Sequence, residues 1–251
     1  MNQVLPSASL VSRVMVLIYG LVSYTIGVAG LGCIVAALAT WIPFGFLETT
    51  SPLPLLLTNV LLVALWGVLH SVLARQSWKD RITQWIAEPA ERPTYVLIAG
   101  ITSLLLIGLW QPMPGVIWSV ETPVLITLIW IVFAFGWVYL LASTFAINHF
   151  DLFGLRQVYL YFRLLPRPPV HFVKRFMYRF TRHPIQTGVL IGIWATPVMT
   201  VTQLVLSLGF TLYVFIGLHY EERDLEKAIG EPYVQYRQEV GMLLPRLTRR
   251  R

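Results

Sequence analysis

Charged side chains are scarce in this chain. Asp, Glu, Lys and Arg make up 12% of its 251 residues, against about 25% in an ordinary soluble domain. That scarcity excludes a solvated globular fold. With 56% hydrophobic residues, a disordered chain is excluded too, because disorder needs low hydrophobicity. Strict alternation of apolar and polar residues is also missing. The apolar residues come in long runs, which argues against a membrane β-barrel. Cysteine is reduced to Cys33, inside an apolar run, so no disulfide framework and no cysteine-based zinc site can be built. What remains is an all-α, polytopic helical membrane protein. The N-terminus has no basic n-region and no small-residue cleavage site, and its first apolar run exceeds a signal-peptide core, so that run reads as a retained span.

A membrane-crossing helix needs about 20 mostly apolar residues. Four runs satisfy this, at about 14–40, 55–74, 95–111 and 121–147. A fifth run, 185–219, is too long for one span and holds one ionisable residue, His219. Pro197 interrupts it and breaks the helix ladder. Two helices in a tight hairpin, about 185–197 and 200–220, are expected. That gives six spans, or five if 185–219 is one kinked helix, and no strands.

The 19 basic residues support six. They fall before the first span (Arg13), between spans two and three (Arg75, Lys79, Arg81, Arg92), in 148–184, and after the last span. The loops at about 41–54 and 112–120 contain none. The positive-inside rule then places both termini and the basic loops in the cytoplasm. The net charge of +7 is a topology signal. It calls for no nucleic acid; the bilayer is the partner, with anionic lipid near the basic tail. No oligomer is implied. The chain thus has three regions: four spans in 1–147, a cytoplasmic loop in 148–184, and a hairpin with a cytoplasmic tail in 185–251.

Four histidines end or open spans at the basic side: His70, His149, His183 and His219, with His171 in the long loop. Titratable residues gathered at one depth suggest a site there. The outer loops read as turns with Trp41, Trp110 and Trp118 as interfacial anchors. Residues 27–32 (Gly-Val-Ala-Gly-Leu-Gly) invite close approach of another helix. Residues 171–180 mix basic and aromatic side chains as an interfacial amphipathic helix does. In the tail, Gly230 breaks a charged helix, Pro232 restarts it, and Tyr233 and Tyr236 share one face.

Arg182-His183-Pro184-x-x-x-Gly188, followed across the hairpin by Glu221-Glu222-x-x-Leu225-x-x-x-Ile229-Gly230-x-x-Tyr233-x-x-Tyr236 and Pro245, resembles the C-terminal module of the isoprenylcysteine carboxyl methyltransferases. Those are membrane enzymes that use S-adenosylmethionine. Residues 148–160 and His70-Ser71-Val72-Leu73-Ala74-Arg75 extend the likeness over nearly the whole chain, to the bacterial methanethiol S-methyltransferase family. One departure is Gln186, where that family usually has Tyr. The resemblance implies methyl transfer from S-adenosylmethionine to a small thiol. It implies cofactor contacts at His183, Glu222, Tyr233 and Tyr236.

The chemistry extends that set. Arg182, Arg237 or the backbone near Pro184 and Gly188 could meet the cofactor carboxylate. Glu221 or Glu222 could accept from its amino group or ribose, and the tyrosines offer faces to adenine or the sulfonium. A thiol also needs a base. His149 or His70 is the candidate, with Asp151 orienting it, and Phe150, Phe153 and Trp137 could wall a small pocket. No metal is required. Two other readings stand beside this one. A prenylcysteine carboxylate could be the acceptor. Alternatively, the first spans resemble NnrU-like membrane proteins, some of which bind haem and isomerise a polyene, and His70 and His149 could then be axial ligands.

Overall fold

The computed structural model describes residues 8–168 and 174–246. Its elements are α1 (Leu10–Leu38), α2 (Leu55–Ala74), α3 (Gln76–Ile82), α4 (Glu91–Gly108), β1 (Val116–Ser119), α5 (Pro123–Ile147), α6 (His149–Leu152), α7 (Leu155–Phe162), α8 (Pro184–Trp194), β2 (Val198–Thr200), α9 (Val201–Ile229) and α10 (Glu231–Glu239). Five helices are long and apolar enough to cross a membrane: α1, α2, α4 with the 3-10 turn before it, α5 and α9. The chain is an integral membrane protein.

Six full spans are not present among the described residues. The hairpin forms where Pro197 predicts it, but α8 has only 11 residues. At about 1.5 Å per residue it covers about half of a 30 Å hydrocarbon core. Nor is 185–219 one kinked helix. Its break is a strand, β2, paired antiparallel with β1 through Val116↔Thr200, Trp118↔Met199 and Ser119↔Val198. The absence of strands expected from sequence fails for a simple reason. The chain leaving α8 and the loop before α5 both carry backbone groups outside any helix, and pairing them satisfies groups that would otherwise be left bare. A capping box of Thr200 and Gln203 then starts α9, satisfying its first amides.

The chain divides into two compact units. The first combines the described parts of Met1–Glu48, Ala64–Trp110 and Asn148–Val170, and the second those of Thr49–Val63, Gln111–Ile147 and His171–Arg251. In the first, α1 lies against α4. A Cβ on Gly30 would stand 2.6 Å from the Gly100 carbonyl oxygen, so the small residues of 27–32 do admit a neighbouring backbone. Beyond α4, the start of α1 meets α7: Gly20 faces Val158 and Arg13 Nη1 donates to the Phe162 carbonyl at 2.8 Å. Trp110 is fully buried, with its ring 5.9 Å from that of Phe44, so it is a core residue and not a belt anchor. Trp41 is exposed, as a belt residue would be.

In the second unit α5 and α8 meet through Gly136, Gly188 and Gly192. A Cβ on Gly188 would stand 2.6 Å from the Gly136 carbonyl oxygen and 2.7 Å from the Leu140 nitrogen. The rest of α5 is apolar all round, with Val124, Leu128, Ile131, Phe135 and Val138 exposed, as befits a lipid-facing helix. The expected amphipathic helix over 171–180 is not seen in the described residues. His171 lies outside them, and the described part of that stretch forms a four-residue 3-10 turn, Phe176–Arg179. Such turns seldom run longer.

Candidate functional site

The second unit carries the Arg-His-Pro and Glu-Glu motifs together. The segment before α8 runs beside the chain after α10: Arg182 N–H donates to the Gly241 carbonyl at 2.9 Å and His183 N–H to that of Met242 at 3.1 Å. Thr187 Oγ1 donates to the Leu243 carbonyl at 2.9 Å. Pro184 occupies the first turn of α8, where a missing amide costs nothing. α9 runs past its apolar part and brings Glu221 and Glu222 up to this clasp. Gly230, at φ +74°, ends α9 in a conformation that suits glycine, and α10 turns back.

Glu222 is the hub. Its Oε1 accepts from Arg182 Nε at 2.7 Å and from His183 Nε2 at 3.1 Å, and Arg182 Nη2 lies 2.6 Å from it in the ion pair. A carboxylate only accepts, so the His183 proton sits on Nε2. Arg237 Nε lies 3.4 Å from Glu222 Oε2. Arg182 Nη1 donates further to the carbonyls of Arg237 and Val240. The side chains of Arg182 and Glu222 are 6% and 9% exposed. Arg182, proposed from sequence to meet a carboxylate, is therefore engaged inside the protein.

The rim of this cluster is different. Glu221 is about half exposed, with Oε2 4.0 Å from His183 Nδ1, and Arg237 is about half exposed and also pairs with Glu226 at 3.1 Å. Tyr233 and Tyr236 are buried, with ring centroids 5.9 Å apart, packed with Val240, Leu225 and Ile229. Tyr236 OH donates to the Tyr178 carbonyl at 2.6 Å. Burial, and then nearby Glu222, pushes the Tyr233 phenol up to about 12. Burial likewise raises those of Tyr236 and Tyr178. All three stay neutral hydroxyls. Gly188 is occupied by its contact with α5, and Gln186 sits partly buried in the first turn of α8.

The first unit holds the candidate bases. Asn148 caps α6, its side chain accepting from Asp151 N–H, which explains the Asn-His-Phe-Asp run. Gly154, at φ +86°, separates α6 from α7, and a Cβ there would stand 2.7 Å from Pro93 Cδ. This turn buries His149. Its Nε2 lies 2.9 Å from the Tyr24 hydroxyl, and its ring packs against Phe153 at 4.7 Å and Phe150 at 5.3 Å. Burial lowers its pKa below the ordinary 6.5, which favours neutral imidazole. The Asp151 carbonyl receives Gln157 Nε2 at 2.8 Å. His70, on α2, pairs through Nδ1 with the Trp66 carbonyl at 3.2 Å. It stacks on Trp66 at 4.1 Å and meets Tyr95 edge-on at 6.0 Å. Arg92 stands 4.6 Å above the Tyr95 ring and donates through Nε to the Leu152 carbonyl at 2.7 Å, tying α4 to the end of α6. Trp137 lies in the second unit, against Gly192.

Sequence reasoning passed over Tyr24 and Arg92. A phenol inside an apolar run, whose tip must find a partner, was the available signal for Tyr24. Among the described residues no three His, Cys, Asp or Glu side chains are grouped as metal ligands would be.

The NnrU protein family model matches residues 58–245. A methanethiol S-methyltransferase of Mycobacterium tuberculosis is 40% identical over 93% of this chain and 97% of its own length. Methanethiol S-methyltransferase 1 of Bradyrhizobium diazoefficiens is 47% identical over 78% of this chain and 69% of its own. That of Crocosphaera subtropica is 42% identical over 76% and 74%. No solved structure gives a match. The family model over residues 58–245 places this chain in the NnrU protein family, and its similarity to the bacterial methanethiol S-methyltransferases extends over 93% of the chain.

Proposed function

We propose that the protein is a membrane-embedded thiol S-methyltransferase that converts methanethiol to dimethyl sulfide with S-adenosylmethionine as donor. The observation that carries this reading is the 40% identity over 93% of the chain to a methanethiol S-methyltransferase. The charge distribution supports placement in a bacterial inner membrane with the basic loops and the cofactor on the cytoplasmic side.

The donor set of the second unit fits S-adenosylmethionine. That molecule ends in an ammonium and a carboxylate, and the rim offers one carboxylate, Glu221, and one guanidinium, Arg237, both half exposed. When bound, the cofactor supplies an electrophilic methyl group on a sulfonium. Glu221 and Arg237 hold its charged end. Arg182, His183 and Glu222 form the floor that fixes the rim, with Pro184 and Gly188 setting α8 in place. Tyr233 and Tyr236 anchor α10, so that Arg237 keeps its position. In this division, Glu222 acts through Arg182, His183 and Arg237 rather than as an exposed acceptor.

The acceptor must lose its proton. A free thiol titrates at about 8.5 or above, so little thiolate exists at pH 7. His149, buried and neutral, is the base, with Phe150 and Phe153 packed on its flanks. General-base help of this kind contributes about 10²–10⁴-fold.

The test is product formation by the purified protein in detergent with methanethiol and S-adenosylmethionine. Dimethyl sulfide and S-adenosylhomocysteine should accumulate in equal amounts. S-adenosylhomocysteine without sulfide would move the acceptor to another class, such as a prenylcysteine carboxylate. Neither product, with an intense haem band in the optical spectrum, would replace this reading by a haem-binding one.

A further inference from the structure

Tyr24 sits within α1, 125 residues before His149. Its neighbour Ser23 returns its hydroxyl to its own helix, donating to the Tyr19 carbonyl at 2.7 Å. Tyr24 instead reaches out to a titratable ring, 2.9 Å from Nε2. The two rings meet edge to face at 5.8 Å, and Phe153 braces both, 5.7 Å from Tyr24 and 4.7 Å from His149. His149 is 4% exposed, whereas Tyr24 is only partly buried. The phenol covers the imidazole nitrogen and forms the accessible end of the pair.

We propose that the Tyr24 hydroxyl is the catalytic group that meets the thiol and passes its proton to His149. This rests on the methyl-transfer reading above. The S–H bond breaks as its proton goes to the Tyr24 oxygen, and the Tyr24 O–H proton goes to the lone pair of His149 Nε2. The step leaves a thiolate, a neutral phenol and an imidazolium, with no net change in charge. The thiolate lone pair then forms the new S–CH3 bond as the methyl–sulfonium bond of the donor breaks, its electron pair staying on the departing thioether sulfur, and the imidazolium returns its proton to water. A buried imidazole thereby acts on a thiol that need not enter its pocket, and Phe153 keeps the two rings in line.

The experiment compares wild type and Tyr24→Phe in single turnovers with methanethiol and with the more acidic trifluoroethanethiol, alongside calorimetry of S-adenosylmethionine binding. The variant should lose about 10²-fold or more with methanethiol, keep its cofactor affinity, and lose far less with the acidic thiol, a much larger fraction of which is already thiolate. An unchanged rate, or equal losses with both thiols, overturns the proposal. If Tyr24→Phe does not fold, a proton inventory on wild type in mixed light and heavy water decides. Two protons in flight bow the plot, and a straight line overturns the relay. Wild type without transfer to either thiol would defeat the methyl-transfer reading itself. An active wild type with a normal variant defeats only the role of Tyr24.

Discussion

The two units bury polar groups in opposite ways. The second buries charge: Arg182, Glu222 and His183 satisfy one another and two carbonyls, with Arg237 at the edge. The first buries neutral groups: an imidazole held uncharged by burial, a phenol and two phenylalanine rings. A buried ion pair is stable only when complete, which suits a fixed scaffold. When the neutral pair takes up a proton, His149 becomes charged where burial disfavours charge, so the imidazolium gives the proton up again and the step resets. The contrast matches the division of labour proposed between holding a cofactor and activating a thiol.

The contrast can be broken most sharply at Arg182. Arg182→Ala leaves Glu222 buried without its main partner and should cost about 3–5 kcal/mol, read as thermal unfolding in detergent. Tyr24→Phe removes a neutral hydrogen bond and should cost only about 0.5–1.5 kcal/mol. Equal losses would show that the two units do not differ as described. His149→Ala comes next, on activity: turnover should fall about 10²–10⁴-fold while calorimetry finds cofactor affinity near normal. Full turnover would remove His149 as the base. Gly188→Ala must fit a methyl 2.6 Å from a carbonyl oxygen of α5 and should destabilise by about 1–3 kcal/mol. A neutral outcome would return Gly188 to direct cofactor contact.

Smaller effects sharpen the rim. Glu221→Gln should weaken S-adenosylmethionine binding by about tenfold to hundredfold, the worth of a hydrogen bond to a charged group. It should leave stability unchanged, since an exposed pair contributes little. An unaltered affinity would exclude Glu221. The least effect is on pH. His149 titrates below 6.5 because burial disfavours its charged form. Unfolded chain therefore takes up the proton first as pH falls, so the stability tied to neutral His149 is complete above about 6.5 and is lost as pH falls through the lowered value. Turnover should share that acid limb, below 6.5. A limb above the ordinary histidine value, removed by His149→Ala, would contradict the burial argument.

Much of the fold is legible in the apolar runs. Pro197 marks the hairpin, and Gly230 with Pro232 marks the joint between α9 and α10. The length of α8 is not legible, because residues 198–200 are as apolar as a helix end yet pair as a strand with 116–119. Trp110 misleads for a similar reason: a Trp at a span end looks the same whether it faces headgroups or Phe44. At the candidate site, the Arg-His-Pro and Glu-Glu motifs are legible as a pair, but not their arrangement. Sequence offers Arg182, Arg237, Glu221 and Glu222 alike to the cofactor; only the packing shows Arg182 and Glu222 paired with each other and Glu221 and Arg237 half exposed. Tyr24 is legible only as a phenol in an apolar run that needs a partner; the partner itself lies 125 residues away, and no local spacing joins them.

Transfer of a methyl group from S-adenosylmethionine to methanethiol underlies every role assigned to these residues. Headspace gas chromatography with mass detection reads it directly, on purified protein given methanethiol and S-adenosylmethionine deuterated at the transferable methyl. Dimethyl sulfide with one fully deuterated methyl group is expected, and none from an Arg182→Ala control. Unlabelled sulfide, or no sulfide from a protein that still binds the cofactor, would contradict methyl transfer to this thiol.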